Sequence, residues 1–393
     1  MNLFYKFLVL FFIKRLSRTF KGDLVIIFPN NYKYILGRTI NAPYFKILNN
    51  FLFIRIFFNG VSGISYGYSK KDWVTDDLSY IIRIGLKNIK EIKSLKLKFD
   101  YFFNYRKIFS FFHSNTISKS KKQISFHYDL GNNFYKCWLD KTMTYSSGMF
   151  YDKKLALQVA QNNKYESLAK LAKIKKGNTI LEIGCGWGGF ISYISKNIGS
   201  NITGITISKS QYHYVRSLKR SNAKVKLLDY RQINMSYDKI ISIEMFEAVG
   251  KTNWNNYFKI LNRSLKKKGV AALQIITINE NLYRNYERNK DFIQKYIFPG
   301  GMLPTKKIIY SLANQNNLSV CHEKSLRKDY VKTLEMWRKN FLNSWKRLEN
   351  MGYSKEFKRL WEYYLTYCEE GFRAETINVY QFLLKKINEK SKI

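Results

Sequence analysis

The stretch that most constrains the fold is residues 179–190, Thr-Ile-Leu-Glu-Ile-Gly-Cys-Gly-Trp-Gly-Gly-Phe. Apolar Ile180, Leu181 and Ile183 surround one carboxylate, Glu182, and glycines follow at 184, 186, 188 and 189. A helix-like segment then runs from Phe190 to Asn197. The order is strand, tight turn, helix start. Glycine lets the turn bend and lets a ligand touch bare backbone. Taken alone, such a turn fits either a cofactor site or a plain strand-to-helix connection.

The strands that follow narrow the choice. A nicotinamide site places an acid on the ribose about 20 residues on, at the end of the second strand. That strand, residues 201–207, carries no acid, so a nicotinamide cofactor is disfavoured. The third strand, 224–228, ends in Asp229, followed by Tyr230 and Arg231. A carboxylate there suits an adenine amino group, and Tyr230 could cover the ring face. A fourth strand over 239–243 runs into Glu244-Met-Phe-Glu247-Ala-Val-Gly250, and a fifth over 270–276 follows Gly269. Strands alternating with helical segments at this spacing predict an α/β fold with a mostly parallel sheet covered on both faces. The turn's E-x-G-x-G-x-G pattern (Glu182, Gly184, Gly186, Gly188) resembles the first motif of class I S-adenosylmethionine (SAM) methyltransferases, whose sheet is Rossmann-like.

At 393 residues the chain can hold one large domain and a small one. Lys and Arg number 68 against 28 Asp and Glu, a net charge of +40. Such a charge favours polyanions, either nucleic acid or an anionic membrane surface. Enrichment in Lys, Asn, Ile, Tyr and Phe is also what a biased base composition would produce. No RNA- or DNA-binding module is recognisable, so no nucleic-acid partner is expected. The cysteines, Cys137, Cys185, Cys321 and Cys368, lack metal-ligand spacing and read as reduced thiols of a cytosolic protein. The four histidines form no metal pair, and no metal site is expected. Residues 3–13 are apolar and aromatic, interrupted by Lys6 and followed by Lys14, Arg15, Arg18 and Lys21. That run is too short to span a bilayer, and its charge lies on the wrong side for a signal peptide. An amphipathic surface helix fits, as does a helix packed on its own domain.

Three regions are expected. Residues 1–95 form a small α+β module with strand-like runs at 24–28 and 51–58. Residues 96–122 are a basic, aromatic linker and entry helix. Residues 123–393 alternate strand and helix as the main domain. A helical segment over 334–348 fits a cover for the substrate site, and 377–387 reads as a last strand or helix.

Several segments in register carry a wider resemblance: His127-Tyr-Asp-Leu-Gly-Asn-Asn-Phe134, Met143-Thr-Tyr-Ser-Ser-Gly148, the glycine turn, Gly204-Ile-Thr-Ile-Ser208, Asp229-Tyr-Arg231, Met245-Phe-Glu-Ala-Val-Gly250, Phe292 to Gly301, and Gly371-Phe-Arg373. Together they resemble the cyclopropane-fatty-acyl-phospholipid synthases and their relatives that methylate unsaturated acyl chains. The likeness runs from about residue 123 to 385, and the N-terminal module looks like the lipid-associated module of the bacterial members.

The resemblance implies a SAM-dependent methyltransferase. It transfers a methyl (net, a methylene) to the cis double bond of an acyl chain in membrane phospholipid, and a base then removes a proton so that a ring closes. Cofactor contacts fall at Tyr145, Ser146, Glu182, Gly184, Gly186, Gly188, Thr206, Gln211, Asp229, Tyr230 and Arg231. The family holds a bicarbonate ion as the base, and its contacts fall at Glu247, Tyr330 and the backbone of Ile276. Two positions depart: the family's cysteine is Ser147 here, and its histidine is Gln274. Both can hydrogen-bond an anion, but neither supplies a thiolate or an imidazolium. A methyl-branched or methylene product is therefore the alternative to a ring, and a membrane-bound relative without catalysis is the more distant one. The implied setting is cytoplasmic, peripheral at an anionic membrane face, with a homodimer left open.

Overall fold

The computed structural model describes residues 17–89, 130–152 and 154–387. The 3–13 run, the 96–122 linker and His127 lie outside those residues. The described chain divides into two compact units, 17–89 with 349–374, and 130–348 with 375–387.

The first unit has a four-stranded sheet in the order β2-β1-β3-β4, made of β1 (Leu24–Ile27), β2 (Lys33–Leu36), β3 (Tyr44–Ile47) and β4 (Trp73–Val74). Residues 51–58, expected as a strand, are instead the helix Phe51–Asn59. A run that is apolar except for Arg55 has no period that separates helix from strand. The ends decide it: Asn49 Oδ1 accepts from the Phe51 amide at 2.9 Å, and Gly60 at φ 57° closes the helix.

The late helix Lys355–Arg373 also belongs to this unit. Arg83 Nε donates to the fully buried Glu370 at 2.8 Å, Tyr68 Oη donates to Glu362 at 3.3 Å, and Arg359 Nε donates to the Ser69 carbonyl at 3.0 Å. The unit boundary therefore differs from the expected division at 123, which left residues 349–374 with the main domain.

The second unit carries a seven-stranded sheet in the order β10-β11-β9-β8-β5-β6-β7. Its strands are β5 (Thr179–Ile183), β6 (Asn201–Thr206), β7 (Ala223–Leu227), β8 (Tyr237–Ile243), β9 (Leu265–Ile278), β10 (Leu318–Ser325) and β11 (Ile377–Lys386). β5 to β9 pair in parallel, while β11 runs antiparallel between β9 and β10. Alternate residues of each strand bury opposite faces. Leu181, Ile183 and Leu273 pack with Phe246 and Tyr257 on one side, and Ile180, Ile241 and Ala272 pack with Phe190 and Leu168 on the other. This is the predicted α/β sheet. In such open sheets, ligands bind outside the carboxyl ends of the strands. The helix expected over 334–348 starts earlier and runs Arg327–Asn343. Among the described residues, no helix is long and apolar enough to cross a membrane.

Candidate active site

The glycine turn sits at the carboxyl end of β5. Gly184 and Gly186 have φ of 78° and 52°, in the left-handed region that glycine tolerates. A Cβ at Gly184 would stand 2.6 Å from Met245 Cγ, so Gly184 admits a side chain of the protein. A Cβ at Gly186 would meet no protein atom within 4 Å, so the backbone there faces open space. Gly188 caps the helix Gly189–Asn197. Beside the turn, Glu182 is buried, and its Oε2 has no hydrogen-bond partner within the protein. Burial pushes that carboxyl well above the usual range.

Polar groups continue along the same strand ends. Thr206 Oγ1 donates to Gln211 Oε1 at 2.8 Å and accepts from the Ser208 amide. Asp229 accepts from Nε, the guanidinium terminus and the backbone amide of Arg231, at 2.8 to 3.0 Å. Tyr230 turns inward, edge-on to Tyr257 in the core. Asn132 Oδ1 accepts from Trp187 Nε1 and from Ser210 Oγ, each at 2.8 Å, and so ties the short helix Gly131–Lys136 to the glycine turn. Bare backbone at Gly186 and an unpartnered carboxylate oxygen at Glu182 fit a ligand that carries amino and hydroxyl donors, as SAM does.

A second group of residues lies deeper. Lys164, on the helix Leu157–Leu171, is fully buried and donates to Ser146 Oγ at 2.5 Å and to Gln161 Oε1 at 2.8 Å. Loss of hydration pulls its ammonium down to about 7, against the attraction of Glu244, Asp140 and Glu182. Tyr145 packs among Tyr135, Trp138 and Trp337, with ring centroids 5.2 to 5.5 Å apart, and Trp187 joins through Tyr135. Clustered ring faces stabilise a cation that has been stripped of water.

At the carboxyl end of β8 stand two carboxylates. Glu244 has φ of 50°, a conformation that costs a non-glycine residue about 1–2 kcal/mol. Its Oε2 accepts from Tyr330 Oη at 2.6 Å; its Oε1 accepts from Gln274 Nε2 at 2.8 Å and from the Ser147 amide at 2.9 Å. The amide of Gln274 is oriented by a relay: Ser167 Oγ donates to Gln381, and Gln381 Nε2 donates to Gln274 Oε1. Glu247 Oε1 accepts from the Ile276 amide at 2.5 Å, while its Oε2 is buried without a hydrogen-bond partner. Burial raises the carboxyl of Glu244, and its three donors oppose that. Burial and the neighbouring Glu244 raise Glu247 to about 8. The two carboxyls therefore differ in their support: Glu244 has three donors and Glu247 one. A carboxylate held by three donors, next to an aromatic cluster, can accept a proton from a cationic carbon.

Sequence reasoning expected Tyr330, Gln274 and Ser147 to gather around an anion oriented by Glu247. The structure brings these three together, but on Glu244, and it leaves Glu247 with Ile276. Ser147 contributes its backbone N–H, because its hydroxyl donates to the Gly148 carbonyl. Glu244 and Lys164 were not among the expected site residues. The signal for Glu244 was a second acid at a strand end, in a chain whose anion site lacked the expected Cys and His. A lysine in mid-helix gives no comparable signal.

Residues 115–382 match the family described as mycolic acid cyclopropane synthetase. The chain belongs to that family. It is 32% identical over 347 residues to the tuberculostearic acid methyltransferase UfaA1 of Mycobacterium tuberculosis, covering 84% of this chain and 80% of that protein. It is 31% identical over 354 residues to the cyclopropane-fatty-acyl-phospholipid synthase of Escherichia coli, covering 87% of each. The mycolic acid cyclopropane synthase CmaA1, solved with SAH and CTAB, superposes with a TM-score of 0.64 at 31% identity, over 68% of this chain and 98% of that one. Its fold is that of the class I SAM methyltransferases, shared with coclaurine N-methyltransferase at a TM-score of 0.58 and 21% identity.

Proposed function

We propose that this SAM-dependent methyltransferase adds a one-carbon unit to the cis double bond of an unsaturated acyl chain in membrane phospholipid, and that ring closure gives a cyclopropane. When bound, SAM supplies an electrophilic methyl group. An alkene is a weak nucleophile, so the protein's part is to position it and exclude water. The aromatic cluster of Tyr135, Trp138, Tyr145 and Trp337 suits a site that must tolerate a carbon cation. The observation that carries the reading is the buried Glu244 with its three donors, a proton acceptor whose partner Tyr330 lies edge-on to Trp337 of the ring cluster.

The same observation favours a second reading of the product. The geometry around Glu244 departs from the family's cysteine and histidine, and one relative is named as a methyltransferase while another is named as a cyclopropane synthase. A hydride shift before proton loss would give a methylene-branched chain. The bicarbonate that the family resemblance implies would need the donors that Glu244 already holds.

The membrane surface is supported by the net charge of +40 and by the helix Phe51–Asn59. That helix leaves Phe51, Ile54 and Phe58 exposed by 57%, 48% and 65%, at a spacing that places them along one stripe. Peripheral binding at the cytoplasmic face fits both features. Lipid mass analysis of cells expressing the protein tests the reading: unsaturated chains should gain the mass of one CH2. No new acyl species in cells that make active protein would reject it.

A further inference from the structure

We propose that the carboxylate of Glu244 occupies the position of the family's anion and is itself the base, so that this enzyme works without bicarbonate. The inference rests on the methyl-transfer reading above.

The donors carry the argument. Four groups correspond to the family's anion contacts apart from Glu247: the Tyr330 hydroxyl, residue 274, residue 147 and the Ile276 amide. In this chain all four end on protein carboxylates, three on Glu244 and one on Glu247. A bicarbonate would have to displace Glu244 from its donors or lie beside it without any. In a buried pocket a second anion without donors is strongly disfavoured. The only buried ammonium facing these carboxylates among the described residues is Lys164, and it is already held by Ser146 and Gln161.

The backbone points the same way. Glu244 is held at φ 50°, where a glycine would sit without strain. A strained non-glycine residue persists where the surrounding structure fixes it, and such residues cluster at functional sites. Here the relay from Ser167 through Gln381 and Gln274 is built to aim an N–H at this side chain.

The step balances without a co-reactant. After methyl transfer the substrate carries a cation next to the methylated carbon. One C–H bond of the new methyl breaks, its proton goes to Glu244, and its electron pair forms the closing C–C bond. Glu244 becomes a neutral carboxylic acid and returns the proton to solvent between turnovers. For the methylene product, the same proton transfer follows a hydride shift, and the electron pair forms the double bond instead.

The test uses the full chain and two variants. Glu244→Gln keeps the shape and removes the base; turnover should fall by about 10² or more, with no recovery on adding bicarbonate. Glu244→Gly suits the backbone angle and vacates the donors, so added sodium bicarbonate should restore part of the lost turnover. Titration of 13C-labelled bicarbonate, followed by NMR without SAM or lipid, should show binding to Glu244→Gly and none to the wild type. Stripping dissolved carbonate should leave wild-type turnover unchanged. The proposal is overturned if bicarbonate binds the wild type, if carbonate removal slows it, or if folded Glu244→Gln keeps full turnover. Because the titration involves neither methyl donor nor lipid, it still decides the inference if no lipid product forms and the functional reading fails.

Discussion

Replacing Gly186 by alanine separates the glycine turn's role in folding from its role in binding. The residue sits at φ 52°, so an alanine there should cost about 1–2 kcal/mol of stability through backbone strain alone. No steric cost adds to this, because the new methyl meets no protein atom within 4 Å. If the open space beside Gly186 is where SAM lies, the methyl displaces the ligand instead, and affinity should fall at least tenfold, about 1.4 kcal/mol. Gly204→Ala is the contrasting variant. Its Cβ would stand 2.5 Å from Ile191 Cδ1 and 2.9 Å from Cys185 Cβ, so its damage should come from core overpacking of about 1–3 kcal/mol. Calorimetric titration reads SAM affinity, and denaturant melts with and without SAM read stability. Saturating ligand at about 100 times Kd adds about 2.7 kcal/mol to a protein that binds it, and Gly186→Ala should lose about half of that gain or more at the same concentration. An unchanged SAM affinity in folded Gly186→Ala would refute the placement of the cofactor at this turn.

Two further predictions follow from charge and burial. Vesicle binding should rise with anionic lipid and fall with salt, since exposed charges are screened over roughly 10 Å at 0.1 M; Phe51→Asp with Phe58→Asp should weaken it further, and equal sedimentation with neutral and anionic vesicles would count against the electrostatic part. Glu247 holds its proton to about 8 in the fold but to about 4.5 when exposed, so the unfolded chain releases that proton first as pH rises. Wild-type stability should therefore decline across that window by up to about 1.4 kcal/mol per pH unit relative to Glu247→Gln. Urea melts of both proteins at the two ends of the window check this, and parallel pH dependences would show that Glu247 titrates normally.

The sheet of the second unit was legible because parallel strands buried on both faces write themselves as short apolar runs, and because the turn after β5 needs glycines. The helix Phe51–Asn59 was not legible, since its apolar residues run without a period and only Asn49 and Gly60 mark its ends. Nor was the place of Lys355–Arg373 in the first unit. It rests on side chains such as Arg83 and Glu370, which lie 287 residues apart in sequence. At the candidate site, the polar residues Tyr330, Gln274 and Ser147 were found by their likeness to a family. What they hold was missed, because a hydrogen-bond donor in a sequence does not name its acceptor. Glu244 then read as a neighbour of the motif acid, and only its three hydrogen bonds make it the centre.

The most direct test of the account is a reaction with purified protein, vesicles of a cis-unsaturated phospholipid and SAM carrying a fully deuterated methyl group. The account predicts an acyl chain that gains one carbon and keeps two of the three deuterons, the third having left as the proton passed to Glu244; chromatography then separates ring from methylene. A product that retains all three deuterons would contradict proton removal from the added methyl, and the absence of any labelled acyl chain from protein that binds SAM would contradict the account at its centre.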